Sequence, residues 1–293
     1  MKRSYAVAAG STAVGAALLL SGCNADGTGG TDANLKLTAN QALIKTSQKA
    51  AKANTFKADV TVKDTSEGGQ VHATGQFRLR PDLAFSAQVD SASKGSASIP
   101  LSGSQAIFTS DTLYVKAPSQ LRQFIAGGKP WLKIDVTQLQ QRTGVDVKGL
   151  VGQVEQADPA QQTKMFTGSK DVRRVGTETV DGVKTTHYAG SVTVKDALAQ
   201  LDAQQRSKAS QWLSNADQNS RIKFDLWSDG DNLPRKLVST GQGKDDNGSV
   251  QVLYTDYGKS VTVNAPPSDQ VGQLSLNGLL GGNTPKPAPT PTA

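Results

Sequence analysis

The sequence predicts an α+β fold built on a long antiparallel β-sheet with several α-helices packed against it. Apolar and polar residues alternate with a period of two in many short runs, which is typical of strands with one buried face. Turn residues separate these runs at intervals that suit hairpins. Helical periodicity is confined to a segment before the first run and to a few segments between later ones. Because only 36% of the 293 residues are hydrophobic and 5% are aromatic, one massive core is not expected.

The N-terminus has the pattern of a signal peptide, which we place at residues 1–22. Lys2 and Arg3 precede an apolar run over residues 5–20, which is shorter than the ~20 apolar residues of a membrane-spanning helix. The run ends in a Leu-Ser-Gly-Cys tetrapeptide that resembles the lipobox of bacterial lipoproteins, in which the cysteine receives a diacylglycerol. Cys23, its last residue, is the only cysteine of the chain. We therefore predict lipidation of Cys23 and a protein anchored on the outer, extracytoplasmic face of the cell membrane. An ordinary signal peptide followed by a chance cysteine is the alternative.

A linker, one domain and a tail are expected after the signal peptide. Residues 23–34 are rich in Gly, Asp and Thr, which is typical of a flexible tether. The alternating runs and helical segments fall within residues 35–264, which we predict to form the folded domain. Pro and Gly dominate residues 265–293, so we expect a disordered tail there.

The domain is expected to begin with a helix and a three-stranded meander. Thr38 and Gln41 have the spacing of a capping box and predict a helix over residues 39–54. Three long alternating runs follow and predict antiparallel strands with one apolar face each. Their apolar positions are Phe56, Ala58, Val60 and Val62, then Val71, Ala73, Gly75, Phe77 and Leu79, then Leu83, Phe85, Ala87 and Val89. Shorter strands are predicted at 97–101, 105–109 and 113–115.

The middle of the chain is less regular, and its later part returns to strands. Pro159 suits the first position of a short helix that ends near Phe166, and another short helix is expected at 137–141. Asp181-Gly182 is a two-residue hairpin signal. A helix is then expected from Asp196 to about Asn215. The later strands are predicted at 171–180, 183–194, 222–227, 233–240, 250–254 and 257–263.

Two stretches of the sequence carry a resemblance to a known family. Residues 175–188 contain the pattern Gly-x-Glu-x-Val-Asp-Gly-x-x-Thr-x-His-Tyr, and residues 224–235 contain Leu-Trp-x-Asp-x-x-x-Leu-Pro-Arg. Both are similar to hairpins of the LppX/LprAFG lipoproteins of actinobacteria, a family similar in structure to the LolA and LolB lipoprotein carriers. The resemblance covers roughly residues 35–263. It implies a single curved antiparallel sheet, a half-open barrel of the LolA type, wrapped over several helices.

The same resemblance implies a function in lipid binding. Family members hold the acyl chains of lipids or glycolipids in a hydrophobic cavity and carry or present them in the cell envelope. Small residues on the apolar strand faces are compatible with a hollow, and a filled sheet with helices packed on it is the alternative. The candidate lipid-cavity residues are Val60, Val62, Phe77, Leu79, Phe85, Val89 and Leu101.

Catalytic and metal-binding patterns are not found in the sequence. There is no Gly-x-Ser-x-Gly, no phosphate-binding Gly-rich loop and no dinucleotide fingerprint, so we expect no enzymatic activity and no cofactor. His72 and His187 are the two histidines, each predicted within a strand and without a cysteine nearby, which favours strand residues over metal ligands. Asp229 and Asp231 lack the ligand spacing of an EF-hand, so a turn is favoured over a calcium site.

Charge and composition narrow the possible partners. The net charge of +7 is spread along the chain without a basic run, and aromatic residues do not interleave with it, so nucleic acid is not expected. The expected partner is a membrane lipid or glycolipid, bound by a monomer. The alternative function is an envelope lipoprotein of the same fold that binds another envelope protein as a sensor or scaffold. Co-purifying lipid would favour the first function, and a stable protein partner would favour the second.

Overall fold

A computed structural model describes residues 38–64, 68–95, 97–98, 102–120, 122–135, 157–212, 217–242 and 248–273. Cys23 and Leu101 lie outside these ranges, as do the predicted signal peptide, the linker, the short helix at 137–141 and the tail beyond residue 273.

Strands dominate the described part of the chain. The strands are β1 (Thr55–Asp64), β2 (Gly69–Arg78), β3 (Ala84–Lys94), β4 (Ala97–Ser98), β5 (Gln105–Thr109), β6 (Thr112–Lys116), β7 (Trp131–Asp135), β8 (Arg173–Val180), β9 (Val183–Thr193), β10 (Arg221–Asp229), β11 (Pro234–Gln242), β12 (Gly248–Thr255) and β13 (Val271–Gln273). The helices are α1 (Ala39–Ala50), α2 (Arg122–Ile125), α3 (Pro159–Phe166), α4 (Val194–Ala199) and α5 (Ala203–Trp212). A 3-10 turn at Ser268–Gln270 precedes β13.

All of these strands belong to one open sheet, with the order β13-β7-β6-β5-β3-β2-β1-β12-β11-β10-β9-β8 and with β4 beside β3. Neighbours are antiparallel except β13 and β7, which run parallel. The sheet consists of two meanders, β1 to β7 and β8 to β12, which the pairing of β1 with β12 joins. The predicted α+β class with a single curved antiparallel sheet is confirmed.

Helix α1 begins where the sequence predicts. The Thr38 hydroxyl accepts from the Gln41 backbone N–H at 3.3 Å, and the Gln41 side chain accepts from the Thr38 backbone N–H at 3.1 Å. This is the predicted capping box. The helix ends at Ala50, earlier than the predicted residue 54. Just after this end, the Arg80 guanidinium donates to the carbonyls of Ala51 and Ala53 at 2.7 and 2.8 Å. Such donors satisfy carbonyls that a helix terminus leaves without partners.

The core lies between the helices and one face of the sheet, which we call the core face. A row of four phenylalanines on this face runs across β5, β3, β2 and β1, in the order Phe108, Phe85, Phe77 and Phe56. The ring centroids of neighbours are 5.8, 6.3 and 5.0 Å apart. Each such pair contributes about 0.5–1.5 kcal/mol beyond its burial. We call these residues the aromatic row; they anchor one end of the sheet to the helices.

Helix α3 has the predicted N-terminus. Asp158 caps it by accepting from the Ala160 N–H at 2.9 Å, and Pro159 occupies the first turn, where its missing N–H has no cost. The hydroxyl of Ser47 in α1 donates to the Ala160 carbonyl at 2.9 Å. Phe166 at the other end stacks on Phe224 of β10, with ring centroids 4.4 Å apart. Helix α3 therefore connects α1 to the sheet.

The prediction of a single helix from Asp196 to about Asn215 is wrong. The chain forms α4 and α5 instead, separated by residues 200–202. The Asp202 carboxylate accepts from the Gln205 backbone N–H at 2.8 Å and so starts a second helix. The first begins two residues before Asp196, because the Thr193 hydroxyl accepts from the Asp196 N–H at 3.0 Å. Short polar side chains compete with the helical backbone in this way.

The prediction of a strand at 257–263 is also wrong. This segment crosses the face of the sheet opposite the core face, where Val261 and Val263 pack with Ala84 and Ile107. The Gln76 side chain donates to the Thr262 carbonyl at 3.1 Å. The alternation of apolar residues arises because the segment lies on a sheet, not because it pairs within one. Its continuation forms β13 beside β7, so the sheet extends past residue 264, where the sequence placed the end of the domain.

Candidate functional site

The size and the exposure of the side chains on the core face change along the strands. Next to the aromatic row lies a row of small residues, in which Ala58 pairs with Gly75, Gly75 with Ala87 and Ala87 with Ala106. Beyond these, the core-face side chains of β1 and β2 are aliphatic and more exposed. Val60 pairs with Ala73, and Ala73 pairs with Val89. The sheet thus has a packed end and an open end on the same face.

The open end presents a continuous apolar surface. Val62 of β1 pairs with Val71 of β2 on one side and with Val250 of β12 on the other. Val62 is 39% exposed and Val250 37% exposed, whereas the neighbouring positions are half-buried. Exposed aliphatic side chains that are contiguous mark binding surfaces more often than isolated ones do. We call this set the apolar surface; it comprises Val60, Val62, Val71, Ala73, Val89 and Val250.

The predicted cavity residues divide between the two ends. Val60, Val62 and Val89 belong to the apolar surface. Phe77 and Phe85 belong to the aromatic row and are buried in the packed core. Leu79 is half-buried, packs against the core and also lines a cavity of about 330 Å³ that is otherwise polar. Leu101 lies outside the described residues.

Three members of the apolar surface were missed as candidates by the sequence analysis. Val71 and Ala73 were identified as apolar positions of their strand, and Val250 stands at the start of a predicted strand. The contribution of Val250 depends on the pairing of β1 with β12, which joins positions nearly 190 residues apart in the chain, such as Val62 and Val250. Alternation within a strand indicates which side chains share a face, and pairing between distant strands determines their neighbours.

The opposite face of the sheet carries a polar cluster around His187. Its Nδ1 lies 2.8 Å from Glu178 Oε1, and its Nε2 lies 2.7 Å from Asp225 Oδ1. The Trp227 indole donates to Glu178 Oε2 at 2.8 Å and stacks on the imidazole with centroids 4.2 Å apart. The hydrogen bond from Trp227, helped by His187, lowers the pKa of Glu178.

The His187 cluster has the arrangement of a structural link across three strands. Glu178 contacts one ring nitrogen of His187 and Asp225 contacts the other. Both nitrogens are therefore occupied by protein partners, and the three side chains do not point at a common ligand position. His72 makes a similar contact on the same face, with Nε2 3.0 Å from Asp59. Within the described ranges no group of three or more His, Cys, Asp or Glu side chains is arranged to hold a metal ion. Both histidines lie in strands, as the sequence predicts, His72 in β2 and His187 in β9.

None of the helices within the described ranges is both long enough and apolar enough to cross a membrane.

Comparison with known proteins identifies relatives over part of the chain. No protein-family model matches the sequence. An uncharacterized 31.2 kDa protein from the rplA-rplJ intergenic region of Streptomyces griseus is 30% identical over 162 residues, which are 54% of this chain and 53% of that protein. A Streptomyces coelicolor protein named as a candidate lipoprotein is 27% identical over 164 residues, or 56% of this chain and 49% of that protein. The chain spans about half the length of these relatives.

Two solved structures, one of them of a lipoprotein, are similar over a larger share of this chain. LppX of Mycobacterium tuberculosis is 15% identical, with 77% of this chain and 98% of that chain covered and a TM-score of 0.44. LprF of Mycobacterium bovis is 17% identical, with 78% and 97% covered and a TM-score of 0.45. LppX and LprF are thus among the solved structures to which this chain is similar, and the two hairpin motifs resemble the family that carries their names.

Proposed function

We propose that this protein is an exported lipoprotein, anchored to the cell membrane through an acylated Cys23, that binds the acyl chains of a lipid or glycolipid. It carries or presents that lipid at the outer face of the membrane. The binding site is the apolar surface on the core face of the sheet. The observation that carries the proposal is the exposure of the paired side chains of Val62 and Val250 on the face that otherwise forms the core.

The two faces of β1 differ in a way that supports this site. On the face opposite the core, Lys57, Asp59 and Lys63 present charged groups to solvent, as expected for a solvated sheet. On the core face, Val60 and Val62 expose only methyl groups. An apolar ligand that covers them gains about 25 cal/mol per Å² of buried apolar area, or ~0.8 kcal/mol per methylene. Acyl chains suit this surface, because the Val and Ala side chains that define it carry no polar atom to desolvate.

The membrane anchor is the second part of the proposal. The lipobox pattern that ends at Cys23 supports it, and one Streptomyces coelicolor relative is named as a candidate lipoprotein. Attachment of more than one acyl chain gives stable anchoring, whereas a single chain binds a membrane only marginally. The proposed role is binding rather than catalysis, and we expect the protein to act as a monomer.

Native mass spectrometry tests the proposal. The full chain is expressed in a bacterium that exports and lipidates it, and the protein is purified from the cell envelope of that bacterium. We expect a mass excess that corresponds to one bound lipid, in addition to the covalent anchor. Bottom-up spectra should show an acylated residue 23. A protein of apo mass that takes up no added diacyl or triacyl lipid would overturn lipid binding, and an unmodified Cys23 would overturn the anchor.

A second function, binding of an envelope protein, has one structural feature in its favour. Strand β8 is the last strand in the sheet order, and its Val175 is 51% exposed. End strands can pair with a strand of another protein. A protein partner that stays bound through size-exclusion chromatography, together with an apo mass, would favour this function over lipid binding.

A further inference from the structure

Helix α1 carries positive charges and no negative ones on its exposed side. Lys45 and Lys49 lie one helical turn apart and are exposed, and Lys52 is exposed in the turn that follows the helix. The 12 residues of α1 include no Asp or Glu. Ile44, which is 40% exposed, precedes Lys45. We call Ile44, Lys45, Lys49 and Lys52 the lysine face.

The packing contacts of α1 lie on its other side. The hydroxyl of Thr46 lies 2.9 Å from that of Ser228 in β10, and the hydroxyl of Ser47 donates to a carbonyl of α3. Lys45 and Lys49 are each two residues from Ser47, which is a rotation of about 200° around the helix axis. The lysine face therefore points away from α3 and toward solvent.

The charges of the lysine face are not compensated within the described ranges. On the opposite face of the sheet, by contrast, Lys57 of β1 pairs with Asp256 at 2.8 Å. None of the ion pairs between described residues includes Lys45, Lys49 or Lys52. Their charge is free to attract an anionic partner.

The helix end explains only part of this arrangement. Lysines near a helix C-terminus interact favourably with the helix dipole, which accounts for Lys49 and Lys52. Lys45 lies before the last turn of α1, and Ile44 exposes an apolar side chain beside it. Cations close to an exposed apolar side chain are typical of helices that lie on the headgroups of a membrane.

The position of α1 in the chain and on the sheet suits a membrane contact. Thr38, its N-cap, follows Cys23 by 15 residues, which span at most about 50 Å. Because α1 packs on the core face, its exposed side and the apolar surface are both turned away from the same side of the sheet. A membrane that contacts the lysine face therefore lies on the side to which the apolar surface opens.

We propose that the lysine face docks on the anionic lipid headgroups of the membrane to which the protein is anchored. Each lysine close to such a surface strengthens binding about fivefold, so three lysines contribute on the order of a hundredfold. A weak contact suffices, because the anchor keeps the lysine face at a high local concentration near the headgroups. The inference rests on the proposed anchor at Cys23 and is independent of lipid binding by the apolar surface.

Fluorescence of the acylated full chain in vesicles tests the proposal. Cys23 is the only cysteine and acylation blocks its thiol, so Ile44→Cys takes up one environment-sensitive dye. The vesicles consist of phosphatidylcholine, alone or with roughly a third phosphatidylglycerol. We expect blue-shifted emission only in the anionic vesicles, and about 0.5 M salt should reverse it. The same dye at Gln251→Cys, on the opposite face of β12, should show no shift.

Charge variants of the labelled protein test whether the lysines cause the shift. Changing Lys45, Lys49 and Lys52 together to Gln should abolish it, and changing them to Arg should preserve it, because arginine keeps the charge. The matched control changes three exposed lysines of the opposite face to Gln, namely Lys63, Lys133 and Lys223. No shift in anionic vesicles, an equal shift in neutral vesicles or equal losses in the two Gln variants would overturn the proposal.

Two further results separate this proposal from the proposed function. Dye uptake by the wild type would reveal a free Cys23 and overturn the anchor. Co-sedimentation of the unlabelled chain with the same vesicles then tests the lysine face alone, and binding that does not depend on the three lysines would overturn it. Val62→Arg should keep the Ile44→Cys shift, since Val62 is not part of the lysine face. Loss of the shift in Val62→Arg would mean that the dye reports lipid binding, and would overturn the docking surface.

Discussion

Val62 and Val250 are directly paired across β1 and β12, and both expose more than a third of their surface on the core face of the sheet. The pair lies at the junction of the two meanders, at the end of the strands far from the aromatic row. The exposure of this pair is the observation on which the proposed lipid site rests.

Val62→Arg should abolish or strongly reduce lipid loading. The arginine would place a charge in the path of an acyl chain, where its desolvation opposes binding. Because Val62 is 39% exposed, the free energy of unfolding should change little, by about 0.5 kcal/mol or less. Native mass spectrometry measures the loading, and urea denaturation measures the stability.

Thr61→Arg is the matched control for this change. Thr61 is the preceding residue of β1, so its side chain points to the opposite face. The control adds the same charge to the same strand and should load lipid normally. Equal loading in Val62→Arg and Thr61→Arg would remove Val62 from the binding surface.

Phe85→Ala should act on stability. Phe85 stacks between Phe77 and Phe108 in the aromatic row and is buried, so its loss leaves a cavity in the packed core. Truncation of a buried phenylalanine costs about 3–5 kcal/mol. Chemical denaturation should show this loss, and Phe85→Leu should show a clearly smaller one. A cost below about 1 kcal/mol for the alanine variant would mean that the row is not tightly packed.

Local features of the sequence predicted most of the sheet. The period-two runs gave β1, β2 and β3, the Asp181-Gly182 pair gave the turn between β8 and β9, and Thr38 with Gln41 gave the start of α1. The turn residues Asp181 and Gly182 have φ values of 46° and 76°, as a two-residue hairpin of this type requires. Each of these features depends on residues that are close together in the chain.

Features that depend on distant residues were not predicted. The pairing of β1 with β12 and the parallel contact of β13 with β7 join segments that are remote in the sequence. The alternation placed Val60 and Val62 on one face of β1, and Phe85 and Val89 on one face of β3, but it could not distinguish Phe85 in the packed core from Val62 at the open end. That difference depends on where the helices cover the sheet. The break between α4 and α5 depended on one cap, Asp202, within a polar segment.

Asp229→Ala should destabilise the β10–β11 turn. Asp229 is 4% exposed and accepts from two backbone N–H groups and from Arg235. Its removal leaves the Arg235 charge half-buried without its partner, and breaking a buried pair of this kind costs roughly 3 kcal/mol. Thermal or urea denaturation measures this cost. Asp231→Ala, which alters an exposed side chain of the same turn, should cost about 0.5 kcal/mol or less, and equal costs for the two variants would contradict the assigned role of Asp229.

Asp171→Asn should change how stability depends on pH. The Ser191 hydroxyl donates to the Asp171 carboxylate at 2.6 Å, and the Ser191 N–H and Ser169 hydroxyl donate at 2.7 and 2.8 Å. These bonds, that from the Ser191 side chain first, lower the pKa of Asp171 from 3.8 to about 2. Because the folded-state pKa is the lower one, the carboxylate stabilises the fold above pH ~4, and this contribution is lost as the pH falls from ~4 to ~2.

The melting temperatures of wild type and Asp171→Asn should therefore differ at pH 7 and converge as the pH approaches ~2. The difference at pH 7 should be small, because the Asp171 side chain is 54% exposed and solvent screens its interactions. Asp82→Asn removes the same charge from an exposed side chain outside this hydrogen-bond network, so it serves as the control. The difference between wild type and Asp171→Asn could instead persist undiminished at pH ~2. That result would contradict the prediction, because it would show that the charge of the Asp171 carboxylate does not cause the stabilisation.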